Sequence, residues 1–261
     1  MNYTISFPLG VFKTSVEALE FIAGFLNFEI VAIASPKSYP EGYDFFDVDE
    51  SKRLLTQNND SSFWIADELN HYSEEKRRVV FRKTFAFSTD IFHIKTISRT
   101  DFRLAEFLEN KVISDLSTIC YYDGIKALWQ SEISVTNYET FKRPHAHLKK
   151  KIDPSLPAIL ANQIDIFYNP GHHKLTYKMF LMASPEMWFG NQSMIYFEKE
   201  RLLSFPKALK TEELTNGVIH INLFDPRTAD YESETILSIQ KEFRQWVRMD
   251  EIELKLGKKI N

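Results

Sequence analysis

Apolar residues first recur at helical spacing over residues 15–27. There Ala18, Leu19, Ile22, Phe25 and Leu26 share one face, and Thr14 with Glu17 has the spacing of a capping box. A short β-prone run, 28–34, ends at the turn signal Ser35-Pro36, and the polar stretch 36–60 predicts one short helix near 50–55. Residues 79–87 (VVFRKTFAF) and 91–97 (IFHIKTI) are rich in β-branched and aromatic side chains around Ser88-Thr89-Asp90, which predicts a hairpin. A helix is expected over 101–112, N-capped by Thr100, and a strand over 116–122.

Residues 142–157 contain Pro144, Pro154 and Pro157 and read as a connecting segment. Beyond it, 161–168 and 175–182 are expected to pair across Asn169-Pro170-Gly171, and 193–197 to pair with 202–205. Residues 217–224 alternate as a strand. An amphipathic helix over 229–247 turns Tyr231, Ile236, Ile239, Phe243 and Trp246 inward, with Asp230 placed to favour its N-terminal dipole, and 250–256 adds further helical turns. Strands arriving as hairpins without a βαβ alternation predict an α+β fold, a mainly antiparallel sheet flanked by amphipathic helices. The division this suggests is an N-terminal half (1–143), a connecting segment (144–157) and a C-terminal half (158–261). A single domain is the alternative at this length.

Composition adds a surplus of rings: 22 Phe, 11 Tyr and 4 Trp against 8 Gly. Aromatics favour packed cores and protein interfaces, whereas scarce glycine argues against the close backbone approach that a nucleotide cradle needs. The lone Cys120, in an apolar stretch, reads as a buried inert thiol. No apolar run approaches membrane-spanning length and the N-terminus lacks the pattern of a secretory signal, so a cytoplasmic protein is expected.

Charge is uneven behind a net of -4. Residues 38–75 hold ten acids against Lys52 and Arg53, and a short basic stretch answers them at Lys142, Arg143 and Lys149–Lys151. That stretch, with Tyr138 and Phe141 for stacking, could contact a nucleic acid, but the acidic balance elsewhere would repel a polyanion.

No catalytic motif is specific. On an extended segment His145 and His147 would project from one face and could begin a metal site, which supports a metal-dependent hydrolase or nuclease as the alternative reading. His172, His173 and His220 are scattered, and Asp44, Asp47 and Asp49 lack the central Gly and terminal Glu of a calcium loop. No cofactor is expected.

One resemblance enters in the C-terminal third. Met187-Trp188-Phe189-Gly190, the run from Ile195 to Phe205, the run from Asn216 to Phe224, and Gln240, Phe243 and Arg244 together resemble the cytoplasmic immunity proteins that accompany toxins in interbacterial competition. The resemblance implies a protein that binds one cognate toxin and masks it without turnover; it carries over no catalytic residue. The residues themselves suggest a patch for such a partner: Tyr39, Tyr43, Asp44, Phe45, Phe46, Asp47 and Asp49 mix rings with carboxylates in a loop that periodicity does not claim for the core. Rings turned inward, pinning the loop, are the competing reading.

Overall fold

The computed structural model describes residues 1–35, 44–58, 61–68 and 76–257. Its architecture is organised by the first seven-residue run. Tyr3, Ile5 and Phe7 alternate with Thr4 and Ser6 in β1 (Asn2–Pro8), and all five are buried. A strand covered on both faces belongs in the middle of a sheet, and β1 lies there.

The remaining strands are β2 (Ala32–Ala34), β3 (Asp44–Phe45), β4 (Ser62–Ala66), β5 (Arg78–Thr84), β6 (Thr89–Lys95), β7 (Thr118–Tyr122), β8 (Lys150–Ile152), β9 (Asn162–Ile164), β10 (His173–Thr176), β11 (Met179–Met182), β12 (Glu186–Phe189), β13 (Lys210–Glu213) and β14 (Ile219–Asn222). The helices are α1 (Ser15–Ala23), α2 (Val48–Asn58), α3 (Leu104–Glu109), α4 (Gly124–Ser131), α5 (Val135–Thr140), α6 (Ala158–Ala161), α7 (Lys199–Leu203), α8 (Glu234–Trp246) and α9 (Met249–Leu256). Ten strands form one antiparallel sheet in the order β13-β14-β12-β7-β1-β6-β5-β4-β2-β3, while β10–β11 and β8–β9 are separate pairs. The fold is therefore α+β with a large antiparallel sheet. The sheet runs across residues on both sides of the connecting segment 144–157, because β12 pairs with β7.

Each face of the sheet carries its own core. On one, Tyr3, Ile5, Phe7, Phe63, Phe81 and Phe92 meet Ala18, Leu19 and Ile22 of α1 and Phe107 of α3. On the other, Cys120, Met187, Phe189 and Ile221 meet β11, α8 and α9. The polar residues of β1 are used as well as buried. Thr4 Oγ1 lies 2.7 Å from Tyr122 Oη, Ser6 Oγ accepts the Phe180 N–H at 3.2 Å, and Thr118 Oγ1 donates to the Phe180 carbonyl at 2.7 Å. The two bonds to Phe180 dock the β10–β11 hairpin, and a buried hydroxyl left without a partner would cost about 1–3 kcal/mol.

Several local expectations are corrected. Residues 193–205 form a 3₁₀ turn and α7 in place of a hairpin, because Phe197, Leu202 and Phe205 all turn into the second core while Lys199, Glu200 and Arg201 supply helix-forming residues on the outside. Residues 175–182 are not one strand but the two arms of β10–β11, reversed at Lys178 in a left-handed conformation (φ 86°). The β10–β11 pair displaces the expected pairing with 161–168, where β9 joins β8 and a 3₁₀ turn follows. The expected helix 101–112 is broken: Ser98, boxed with Asp101, caps a 3₁₀ turn over Arg99–Asp101, and α3 starts only at Leu104 with no side-chain cap from Thr100. Asp230 lies before α8, accepting from the Glu232 N–H, and Ser233 is the cap.

Among the described residues no helix is long and apolar enough to cross a membrane.

Candidate functional site

Between β7 and β10 the chain leaves the sheet and builds a lobe from residues 124–170. Asp123 starts it, accepting from the Ile125 and Lys126 amides at the N-terminus of α4. Its own core is small: Trp129, Tyr138 and Ile164 are buried, with Val135, Leu148 and Ile166 against them. Trp129 and Tyr138 meet edge to face at 5.1 Å, and Tyr138 Oη donates to the Trp129 carbonyl at 2.6 Å.

Two polar locks hold the base of the lobe. Gln130, fully buried, donates to the Tyr231 carbonyl and to Gln240 Oε1, both at 2.8 Å. A Cβ at Gly171 would come within 2.0 Å of Gln130 Oε1, so any larger residue here would displace the Gln130 amide from its bonds. The neighbouring His172 contacts Glu253 at 3.0 Å, and Arg244 donates to the same carboxylate at 2.5 Å and to Asp250 at 2.6 Å. Burial opposes ionisation of Glu253, but His172 and Arg244 outweigh it and hold the carboxyl below its usual range. His172 Nδ1 faces the Asn169 carbonyl at 2.5 Å, so that nitrogen carries the hydrogen.

Above these locks lies a cavity of about 560 Å³, within the size range of a site for a small molecule or an inserted side chain. Gln130 and Tyr231 line it beside the lobe core, together with Trp129, Tyr138 and Leu148. His147, Lys149, Asp165, Tyr168 and Glu232 are among its charged and aromatic residues. Lys149 Nζ stands 3.5 Å from the Tyr168 ring centroid, and the Arg143 guanidinium 4.5 Å from that of Trp129. Arg143 also bonds Glu232 at 2.7 Å, and Lys151 lies 3.7 Å from Asp165. Both carboxylates of the cavity are thus answered by a cation. Lys142, Lys149 and Lys150 have no carboxylate within ion-pair distance among the described residues.

The rest of the lobe surface is unusually apolar. Ile125, Leu128, Ile133, Phe141, Ile152, Leu160, Phe167 and Tyr168 are exposed, and they make up eight of the sixteen large exposed hydrophobics among the described residues. Scattered single apolar side chains are ordinary on a surface, but half of them in one short stretch are not.

The expected patch around residue 44 presents less. Tyr39 and Tyr43 lie outside the described residues. Asp44 and Phe45 form β3, paired with β2. Phe46 is half-buried against the first core, as the inward-turned reading expected, and Asp47 Oδ1 accepts the Glu50 N–H at 2.9 Å at the start of α2. Asp49 is exposed on the first turn of that helix. Glu50 pairs with Arg53, and Asp67 with Arg77 at 2.5 Å, so part of the acidic run is spent on local structure.

The histidines are also dispersed. His145 and His147 sit in a turn closed by the Leu148 N–H to the His145 carbonyl at 3.1 Å, not on an extended segment with both rings on one face. Among the described residues no three His, Cys, Asp or Glu side chains are grouped to hold a metal. His220 stacks on Trp188 (4.7 Å, 7°) between Glu186 at 2.9 Å and Glu212 at 2.8 Å, and Arg99 binds the other oxygen of Glu186. The 450 Å³ hollow nearby is lined by Arg99 and not by His220 or Glu186. His173 Nδ1 meets Ser131 Oγ at 2.7 Å, but burial drives its pKa down to about 4, too weak a base to draw a hydroxyl proton. Cys120 is buried, with its thiol pushed up to about 12 by burial.

The cavity was only partly visible in sequence. Lys149 and Tyr138 belong to the basic and aromatic stretch of the sequence, but Trp129, Gln130 and Tyr231 come together only through α4 and the approach to α8. No protein-family model matches the chain, and no curated protein or solved structure matches it.

Proposed function

We propose that the chain is a non-enzymatic protein-binding protein, of the kind that neutralises a cognate bacterial toxin by masking it. The observation that carries the binding role is the concentration of exposed apolar side chains on the 124–170 lobe, which also holds most of the lining of the 560 Å³ cavity. Anchoring rings, a pocket and charged residues at its edge are the components of an interface whose affinity rests on a few buried contacts. The lobe is also braced for that work: Gln130, Gly171 and His172 tie its base to α8 and α9, which limits the ordering cost of association. The immunity role itself is supported by the resemblance in the C-terminal third.

Co-expression tests it. A toxin-domain product of an adjacent gene should lose its toxicity when the chain is present and purify with it as a stoichiometric complex. Toxicity unchanged by the chain, with no complex, would reject the immunity role.

A further inference from the structure

We infer that the lobe cavity receives an aromatic side chain from an acidic segment of the protein partner. This rests on the protein-binding reading above and gives that partner a chemistry. The cavity volume of about 560 Å³ exceeds what one ring occupies, leaving room for the backbone that carries it. Trp129, Tyr138 and Tyr168 offer faces and edges to a ring, and Leu148 and Ile164 offer apolar contact.

Charge decides the flanking residues. Residues 142–151 contain five bases and no acid. Arg143 and Lys151 are committed to Glu232 and Asp165, which neutralises the two carboxylates of the cavity. Lys149, which lines the cavity, is held over the Tyr168 ring, and Lys142 and Lys150 are exposed on the same segment. An incoming Asp or Glu beside the ring would meet unanswered ammonium groups; an incoming Lys or Arg would meet repulsion. Two buried polar atoms without a partner, Arg143 Nε and His145 Nδ1, belong to the same segment.

Three probe peptides test the inference on the intact chain: acetyl-Asp-Trp-Asp-amide, acetyl-Lys-Trp-Lys-amide and acetyl-Asp-Ala-Asp-amide, titrated while the Trp129 indole and Ile164 amide signals are followed by NMR. The acidic tryptophan peptide should shift both signals saturably and bind about tenfold more tightly than the basic one, the effect expected from two partly solvated charge pairs. The alanine peptide should fail to saturate. In a folded Lys149→Glu, Lys150→Glu variant the preference should reverse. Equal affinity for the two tryptophan peptides, saturation by the alanine peptide, or shifts confined to other surfaces would overturn the assignment. If the chain still neutralises and binds its toxin while ignoring the peptides, the pocket assignment falls and the proposed function stands.

Discussion

The face of the sheet beneath α1 and the lobe of residues 124–170 are both rich in rings, and they use them in opposite ways. Under α1, Phe12 alone contacts Phe7, Phe21, Phe81 and Phe92 at centroid distances of 5.1–6.0 Å. Phe107 joins Phe21, Phe25 and Phe102 at 5.3–5.7 Å. Those rings are spent on stability. Among the described residues of the lobe Trp129, Tyr138 and Ile164 form the buried core, while Phe141 is 67% and Tyr168 58% exposed. These two regions therefore divide their rings between a packed core and a lobe that keeps surface to offer a partner.

The contrast is broken most severely by truncating the first population. Phe81→Ala should cost about 3–5 kcal/mol, since Phe81 is fully buried between Phe63 and Phe92, and a urea melt should show the whole chain unfolding early. If that variant melts like the parent, the sheet face is not the stabilising core. Trp129→Ala should cost about 2–4 kcal/mol locally. It removes the ring against which Tyr138, Phe141 and Arg143 pack, so hydrogen exchange should quicken across 124–170 and not in β1, β5 or β6.

Acid sharpens the comparison at the base of the lobe. Burial holds His93 and His173 neutral, with pKa values near about 4 against an ordinary 6.5. The unfolded chain therefore takes up protons first. Stability is fully present above pH 6.5 and falls as the pH drops from 6.5 towards 4. Glu253 acts in the same direction at lower pH, because its depressed carboxyl must be protonated. Replacing His173 with Gln should flatten the slope of urea midpoint against pH between 6.5 and 4.5; an unchanged slope would remove His173 from the account. The smallest effect belongs to the surface: Phe141→Ser and Asp49→Lys should each shift stability by less than about 0.5 kcal/mol.

Much of the architecture was legible locally. Thr14 caps α1 as expected, accepting the Glu17 N–H, but the box is not reciprocal because the Glu17 carboxylate accepts from the Lys13 N–H. The β5–β6 hairpin lies where β-branched residues flank a turn, although β5 stops at Thr84 because Phe85–Phe87 coils into 3₁₀ and Ser88 turns left-handed. The central strand was present as the alternation Tyr3, Ile5, Phe7, but its position in the sheet is set by pairings to β6 and β7, about ninety and one hundred and twenty residues away. Reversal at Lys178, which carries no glycine, gave no turn signal in the sequence. The site was harder still. Lys149 and Tyr138 were visible as a basic and aromatic stretch, yet Trp129, Gln130 and Tyr231 become neighbours only because α4 packs beside the approach to α8. Conversely, the acids at 47, 50 and 67 looked free in sequence and are bound in place by a helix start and two arginines.

Hydrogen–deuterium exchange of the chain with and without the toxin partner proposed above tests the central claim most directly. The account predicts slowed exchange within residues 129–168, around the cavity, and no change over α2. Slowed exchange over α2 and the adjoining acidic loop, with the lobe unaffected, would contradict it.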